Sequence, residues 1–562
     1  MIPELLRGVT AAAARSVDPA ADVDPLVPTG NPAHGDYQWN FAFRTAKALK
    51  TNPRALAEQL KPLLQHPAIA RVDVAGPGFL NLVLDDAWLA TTVAGQLDDP
   101  ALGIPRLGDG ATVIVDYSSP NVAKRMHVGH MRSTHIGHAL DRLHRAAAYT
   151  VVADNHIGDW GTQFGQLIVA RRRWLDPAAF ADDPVGELER LYVRFRKEAD
   201  TDPALEDEAR AETVKLQQGD PENKALWREF LRVSLAEFDA VYARMGVRFD
   251  EVLGESAYRD RLDGLVAELL ANGIAERSEG AVIVRFDSPE LRDHVMIVQK
   301  KDGAANYATT DLACLRYRME RWNPARILYV TDGRQQLHFQ QVFAVGRRLG
   351  IATDLVHAFF GTLTLPEGAM STRRGNVIRL VDLLDEAVRR ARAVVDEKSP
   401  ELDEATRAAI AEAVGVGAVR YADLSQNPQS NVTFSWDRML AMDGNTAPYL
   451  LYSHARCVSL LAKAGEPADL RRLQPTHALE RDLMLTLARY PEAVTAALRT
   501  YRPNVLADHL FETANRFHRF YHELPVLQGG DARASRLALV EGARRVLRHG
   551  LELLGLRVLD RM

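Results

Sequence analysis

The sequence predicts a multidomain protein: an α/β Rossmann-like parallel-sheet domain, a small α/β N-terminal domain before it, and an all-α helical bundle as the C-terminal domain. Three observations carry that expectation. Between residues 111 and 360, short apolar β-branched runs alternate with stretches of helical period, the pattern of a parallel sheet with crossover helices. After residue 380 apolar side chains recur at i, i+3, i+4 almost without a break. A chain of 562 residues also exceeds what a single core ordinarily organises. The boundaries expected are 1–107, 108–380 with a helical insertion near 170–250, and 381–562.

Composition removes several classes of function. No apolar run approaches the roughly 20 residues that span a bilayer, so no membrane role is expected. The N-terminus has few basic residues ahead of its apolar part and turns acidic at once, unlike a signal peptide, so a cytoplasmic location is expected. Cys314 and Cys457 are the two cysteines, too few and too far apart for a disulfide framework or a cysteine-rich metal site, so no structural zinc is expected. The net charge is −5, yet residues 441–562 hold 17 Lys and Arg against 13 Asp and Glu. All but one of those 17 are arginine, suited to local RNA contacts or to a merely solvated helix face.

In the first domain, HGDYQWNFAFRTAKALKTNPRALAEQL contains a helix over residues 40–50, a break at Asn52-Pro53 and a second helix starting at Pro53. GPGFLNLVLDD then turns into a strand. From Ala111 a buried strand leads through Ser118-Ser119-Pro120-Asn121 into a helix from about Val128. Such a joint presents free N–H groups and a positive helix end at a sheet edge, where a polyphosphate can sit. His127 and His130 lie one turn apart there, with Gly129 between them leaving room for close approach. Two rivals accompany this reading: ordinary surface histidines, and a metal site that would add His135 and His138. The second is set aside, because helical rise separates the first and last of the four by about 16 Å.

TVVADNHIGDWGTQFG supplies the next strand, with His156, Asp159, Gly161 and Gln163 at its carboxyl edge, or simply a tight turn capped by the aspartate. Residues 170–250 are charged and helical in period. In DGAANYATTDLA, Tyr307 and Asp311 are four apart on one helix face; the aspartate could accept a forked pair from a guanidinium, or merely complement the helix end. AMSTRRG, beginning at Ala369, is a basic, Gly-terminated loop suited to a phosphate clamp or to an exposed turn. In the C-terminal helices, Tyr449, Tyr452, His454 and Arg456 and the run Phe517 to His522 interleave aromatic and basic groups, as core or as base-stacking surface.

HVGH resembles the HIGH motif of class I aminoacyl-tRNA synthetases, and SSPNVAKRMHVGHMRST resembles the arginyl-tRNA synthetase form of it. The likeness extends through GESAY, DGAANYATTDLA, DGRQQLHF, DGNTAPYLLYSHAR and ANRFHRFYHELPVL, so it covers essentially the whole chain. It implies ATP as substrate with Mg2+ accompanying it, L-arginine and tRNA(Arg) as the other substrates, and a monomer. It implies an arginine–tRNA ligase that forms arginyl-adenylate, releases pyrophosphate and transfers arginine to the terminal ribose of tRNA. The resemblance assigns His127, Gly129, His130, Met370 and Ser371 to ATP, with Lys124, His127 and His130 on its phosphates. Arg373 and Arg374 fall to the leaving pyrophosphate; both lysines of the family's KMSKS loop are absent, and Lys124 stands where the family carries a substitute. Ser119, Asn121, His130, Glu255, Tyr307, Asp311 and Gln335 are assigned to arginine. Tyr449, Tyr452 and Arg456 are assigned to tRNA, and the N-terminal domain to the tRNA elbow. Two other readings remain open from the residues: a small-substrate nucleotidyltransferase sharing the HxGH element, and a non-catalytic RNA-binding paralogue.

Overall fold

The computed structural model describes residues 1–365, 368–369 and 378–562. They divide into two compact units: Met1–Arg106 together with Ala441–Met562, and Leu107–Leu440. No helix among the described residues is long and apolar enough to cross a membrane.

In the first unit, strands β1 (Val27–Pro28), β2 (Tyr37–Trp39), β3 (Ile69–Ala75) and β4 (Phe79–Leu84) form an antiparallel sheet in the order β1-β2-β4-β3. Tyr37 and Trp39 are fully buried beneath it. The helix expected over residues 40–50 is α-helical over Phe41–Thr45, and the next starts at Pro53, where the Asn52 side chain accepts from the N–H groups of Arg54 and Ala55. The C-terminal helices Ala447–Ala464, Ala478–Ala488, Tyr490–Thr500, Pro503–Glu523 and Arg533–Leu553 complete this unit. Arg481 joins the two sequence segments, making a forked pair with the buried Asp36 at 2.7 and 2.8 Å and a third bond to Asp86 at 2.6 Å.

The second unit is built on five parallel strands: β5 (Thr112–Asp116), β6 (Thr150–Asn155), β7 (Glu251–Val252), β11 (Arg326–Tyr329) and β12 (Asp354–His357). Their order is β12-β11-β5-β6-β7, which, counted within this sheet from the β7 edge, is the doubly wound 3-2-1-4-5 arrangement. The order reverses between β5 and β11. Loops leaving the carboxyl ends of those two strands diverge, opening the crevice where such folds take ligands. Ile114, Val152, Leu315, Ile327, Tyr329, Phe339 and Leu355 pack one core of this sheet. Helix Val128–Ala146 crosses closely because Gly137 has no side chain; a Cβ there would lie 2.2 Å from that of Tyr117.

Residues 170–250 are helical as expected, with a separate core around Phe164, Leu188, Phe195 and Phe230. The strand-like runs near 276–299 are not part of the parallel sheet. They make a small antiparallel sheet, β8 (Glu276–Ser278), β9 (Ala281–Arg285) and β10 (Val295–Gln299), in the order β10-β9-β8. The unit of the parallel sheet runs to Leu440, past the boundary expected at 380, and includes helices Leu380–Lys398 and Glu404–Leu424. Buried charge holds them there. Arg132 on the Val128–Ala146 helix donates to Asp423 at 2.9 Å, and Arg420 lies 3.4 Å from His138.

Candidate active site

Two strand ends and one helix cap build the site. Beyond Asp116, the last residue of β5, three non-glycine residues, Ser118, Ser119 and Ala123, adopt left-handed φ values of 75°, 50° and 62°. Side chains from the following helix and from β6 hold that shape: Ser118 N–H donates to Ser133 Oγ at 2.8 Å, and Ser119 N–H to Asn155 Oδ1 at 3.0 Å. Asn121 pairs through its backbone with Gly158 beyond β6, where a Cβ would meet Asn121 Oδ1 at 2.2 Å. The exposed Asn121 and half-buried Ser119 therefore sit beside the segment 156–159.

His127 caps the helix. Its Nδ1 accepts from Gly129 N–H at 2.9 Å, while its own N–H donates to His130 Nδ1 at 3.1 Å, and the two rings stand 4.0 Å apart. Both Nδ1 atoms are acceptors, so in each neutral ring the proton resides on Nε2. Burial, then the charge of Lys124, holds His127 below the ordinary imidazole value. Burial, then His127, pushes His130 down to about 3. The pair is thus two uncharged Nε2–H donors at the positive end of a helix. The other three histidines of this helix diverge from the cap: His135 lies 3.6 Å from Asp423, His138 lies beside Arg420, and His144 Nδ1 lies 2.7 Å from Leu140 O.

Lys124 is half-buried with its ammonium 4.7 Å from the centre of the Tyr192 ring in the helical insertion. Burial lowers its pKa, against the opposing pull of Glu189. The opposite rim of the second expected motif is also close: Val128 N–H donates to Ile378 O at 3.2 Å, and Leu380 N–H to Met126 O at 2.9 Å. Met370, Ser371, Arg373 and Arg374 lie outside the described residues.

Acidic groups gather on the β6 and β11 side. Asp159 accepts from Ser256 N–H at 2.8 Å and from Ser256 Oγ–H at 2.6 Å, fixing the turn Glu255–Tyr258 against segment 156–159. Burial above all, opposed by the pull of His156 and aided by lesser repulsion from Asp311 and Asp159, pushes the Glu255 carboxyl up to about 7. Tyr307, at the first turn of helix Tyr307–Trp322, is 69% exposed and within electrostatic reach of Glu255 and Tyr192. Asp311, one turn on, is half-buried and accepts from His338 Nε2 at 2.5 Å. Gln335 is exposed at the head of helix Gln336–Arg348, and it is His338, three residues further, that reaches Asp311.

Below this pocket, Arg318 is fully buried and bonds Asp116 at 2.6 Å and Asp154 at 2.7 Å, tying the helix of Asp311 to the ends of β5 and β6. Reading the sequence missed Arg318, His338 and Tyr192. The sole sequence signal for His338 was its place inside the quoted DGRQQLHF segment.

In the other unit, helices Ala447–Ala464 and Pro503–Glu523 expose a ladder of rings. Tyr449 lies 5.2 Å from His518, Tyr452 stacks on His518 at 6.1 Å and 3°, and the Arg456 guanidinium lies over Tyr452 and Tyr521 at 5.1 and 5.5 Å. Tyr449, Tyr452 and Arg456 are half-buried, whereas His454, Phe517 and Phe520 are core.

A doubly wound parallel sheet with a histidine-capped helix at its switch point defines the catalytic domain of a class I tRNA synthetase, and residues 93–436 match the family model "tRNA synthetases class I (R), catalytic domain". Residues 4–84 match the arginyl-tRNA synthetase N-terminal domain, and residues 450–562 the DALR anticodon binding domain. The chain belongs to the arginyl-tRNA synthetase family. It is 45% identical over 540 residues to the arginine–tRNA ligase of Fusobacterium nucleatum subsp. nucleatum, across 95% of this chain and 94% of that relative. The arginine–tRNA ligase of Laribacter hongkongensis is 43% identical over 558 residues, covering 96% of each. Among solved structures, Thermus thermophilus arginyl-tRNA synthetase superposes with a TM-score of 0.82 at 27% identity, over 99% of this chain and 100% of that one. The Plasmodium falciparum enzyme shares the fold at a TM-score of 0.87 and 24% identity, over 100% and 99%. Likeness through both flanking modules sets aside the small-substrate nucleotidyltransferase.

Proposed function

We propose that this chain is an arginine–tRNA ligase acting in two steps. In the first, an oxygen of the arginine carboxylate attacks the α-phosphorus of ATP, the α–β phosphoanhydride bond breaks, and pyrophosphate leaves. In the second, a hydroxyl of the terminal ribose of tRNA(Arg) attacks the adenylate carbonyl and AMP departs. Mg2+ enters with ATP, neutralising phosphate charge.

The protein's part in the first step is positioning and electrostatics. The Nε2–H groups of His127 and His130 donate to phosphate oxygens as charge builds there, alongside Lys124; as uncharged donors they need no proton uptake to act. Gly129 leaves room for the nucleotide, and family likeness alone adds Met370 and Ser371 to ATP and Arg373 and Arg374 to the leaving pyrophosphate. Ser119 and Asn121 face the α-amino group of arginine. Glu255, Tyr307, Asp311 and Gln335 surround the guanidinium, which supplies in one planar group the hydrogen-bond donors for two carboxylates. In the helical unit, Tyr449, Tyr452 and Arg456 offer faces on which unpaired anticodon bases stack.

One observation supports this reading above the others: burial, with a lesser repulsion from Asp311 and Asp159, pushes the Glu255 carboxyl up to about 7, in a domain whose histidine-capped helix holds two uncharged donors. A cation belongs beside these carboxyls. Replacing Asp311 with alanine is expected to abolish arginylation at ordinary arginine concentrations while ATP affinity, measured by nucleotide titration, stays within twofold. Arginylation unchanged in that variant would refute the pocket assignment.

A further inference from the structure

Asp311 projects from the helix Tyr307–Trp322, but its partner comes from another element. His338 stands in the first turn of helix Gln336–Arg348, which follows β11 on the far side of the switch point, and its Nε2 lies 2.5 Å from Asp311 Oδ2. The His338 ring is itself seated: Phe339 meets it edge-on at 5.2 Å. Phe339 packs at 4.8 Å on His357, whose Nε2 is 2.8 Å from Thr331 Oγ1. The contact thus spans two helices and is backed by a packed wall.

A guanidinium is recognised through acceptors held at a set plane and spacing, whereas an ammonium accepts almost any arrangement. A carboxylate turning freely about its last torsion would lose that freedom on binding, and affinity with it. An N–H bond to one oxygen, made from a different helix, fixes the plane beforehand. It leaves the second oxygen and the remaining lone pairs for the ligand.

We propose that His338 is a positioning residue for substrate recognition: by holding Asp311 Oδ2 it presents the carboxylate in the plane that a guanidinium requires, and so contributes to selecting arginine over amino acids ending in an ammonium. The proposal rests on the assignment of Asp311 to arginine and deepens it.

The test uses the full chain with tRNA, steady-state arginylation, and calorimetric titration with L-arginine. His338→Ala is expected to raise KM and Kd for arginine about tenfold, the scale of coupling within one contact, with kcat and KM for ATP within twofold of the parent. His338→Gln keeps an N–H donor and is expected to recover most of that loss. In an Asp311→Asn background, His338→Ala is expected to add less than twofold. An unchanged KM for arginine in His338→Ala, equal losses in the alanine and glutamine variants, or an undiminished effect in the Asp311→Asn background would each overturn the proposal. Should Asp311→Ala retain arginine use, the pocket assignment itself fails; should that variant lose it while His338→Ala leaves KM unmoved, His338 alone fails.

Discussion

At His127 and His130 the chemistry depends on which ring nitrogen carries the proton, and two backbone hydrogen bonds of 2.9 and 3.1 Å decide it. Burial holds both rings below the ordinary imidazole value, His130 down to about 3, so His130 should place no limb near 6.5 in the pH profile of the activation step. Glu255 behaves oppositely. Its folded value is raised to about 7, so in the empty pocket it holds a proton below that pH and is ionised above it. A guanidinium binds the ionised form. Affinity for arginine should therefore weaken as pH falls below about 7, by at most roughly tenfold per unit for one linked proton, and Glu255→Gln should flatten that dependence while weakening binding at high pH. Calorimetric titration with L-arginine from pH 6 to 8.5 measures both slopes. What local spacing made legible was placement, His127 and His130 at the start of one helix and Tyr307 and Asp311 one turn apart on another; their roles came only from the family likeness. His338 and Tyr192 were not legible, because what matters is the strand order that brings distant segments together.

Among elements, the helix Tyr307–Trp322 has two faces with different tasks. Its first turns present Tyr307 and Asp311, and its buried Arg318 bridges Asp116 and Asp154 at the ends of neighbouring strands. The ion triad therefore sets where Tyr307 and Asp311, the residues proposed to meet arginine, stand relative to the β5 loop that enters the histidine cap. Arg318→Met should destabilise the Leu107–Leu440 unit by about 3–5 kcal/mol, because it strands two buried carboxyls without a partner. Asp116→Asn, which keeps an acceptor, should cost less; denaturant unfolding compares them. Equal stability of parent and Arg318→Met would remove this account of how the helix is fixed. Helical period alone located this helix but could not show Arg318 as interior, since its partners lie 164 and 202 residues away. The same limit applies past residue 380. Residues 381–440 carry helical period like that of a bundle, and long-range pairs such as Asp423 with Arg132 and Arg244 with Glu412 reveal which unit they serve.

At the scale of the whole molecule, the chain leaves its first unit at Arg106 and returns to it at Ala441. The α/β modules announce themselves in order along the sequence, but the union of the first 106 residues with the last 122 rests on pairs such as Arg481 with Asp36 and Tyr37 with Glu492, which no local pattern encodes. That arrangement puts the segments that match the N-terminal and anticodon binding domain families in one unit and the match to the catalytic domain in the other, and the central claim concerns what the second unit activates. Exchange of labelled pyrophosphate into ATP, run with the full chain, tRNA and each amino acid in turn, tests it most directly. Label should enter ATP with arginine and not with lysine, glutamine or any other amino acid, and Asp311→Ala should remove the arginine signal. No exchange with arginine in the presence of tRNA, or comparable exchange with a different amino acid, would contradict the account.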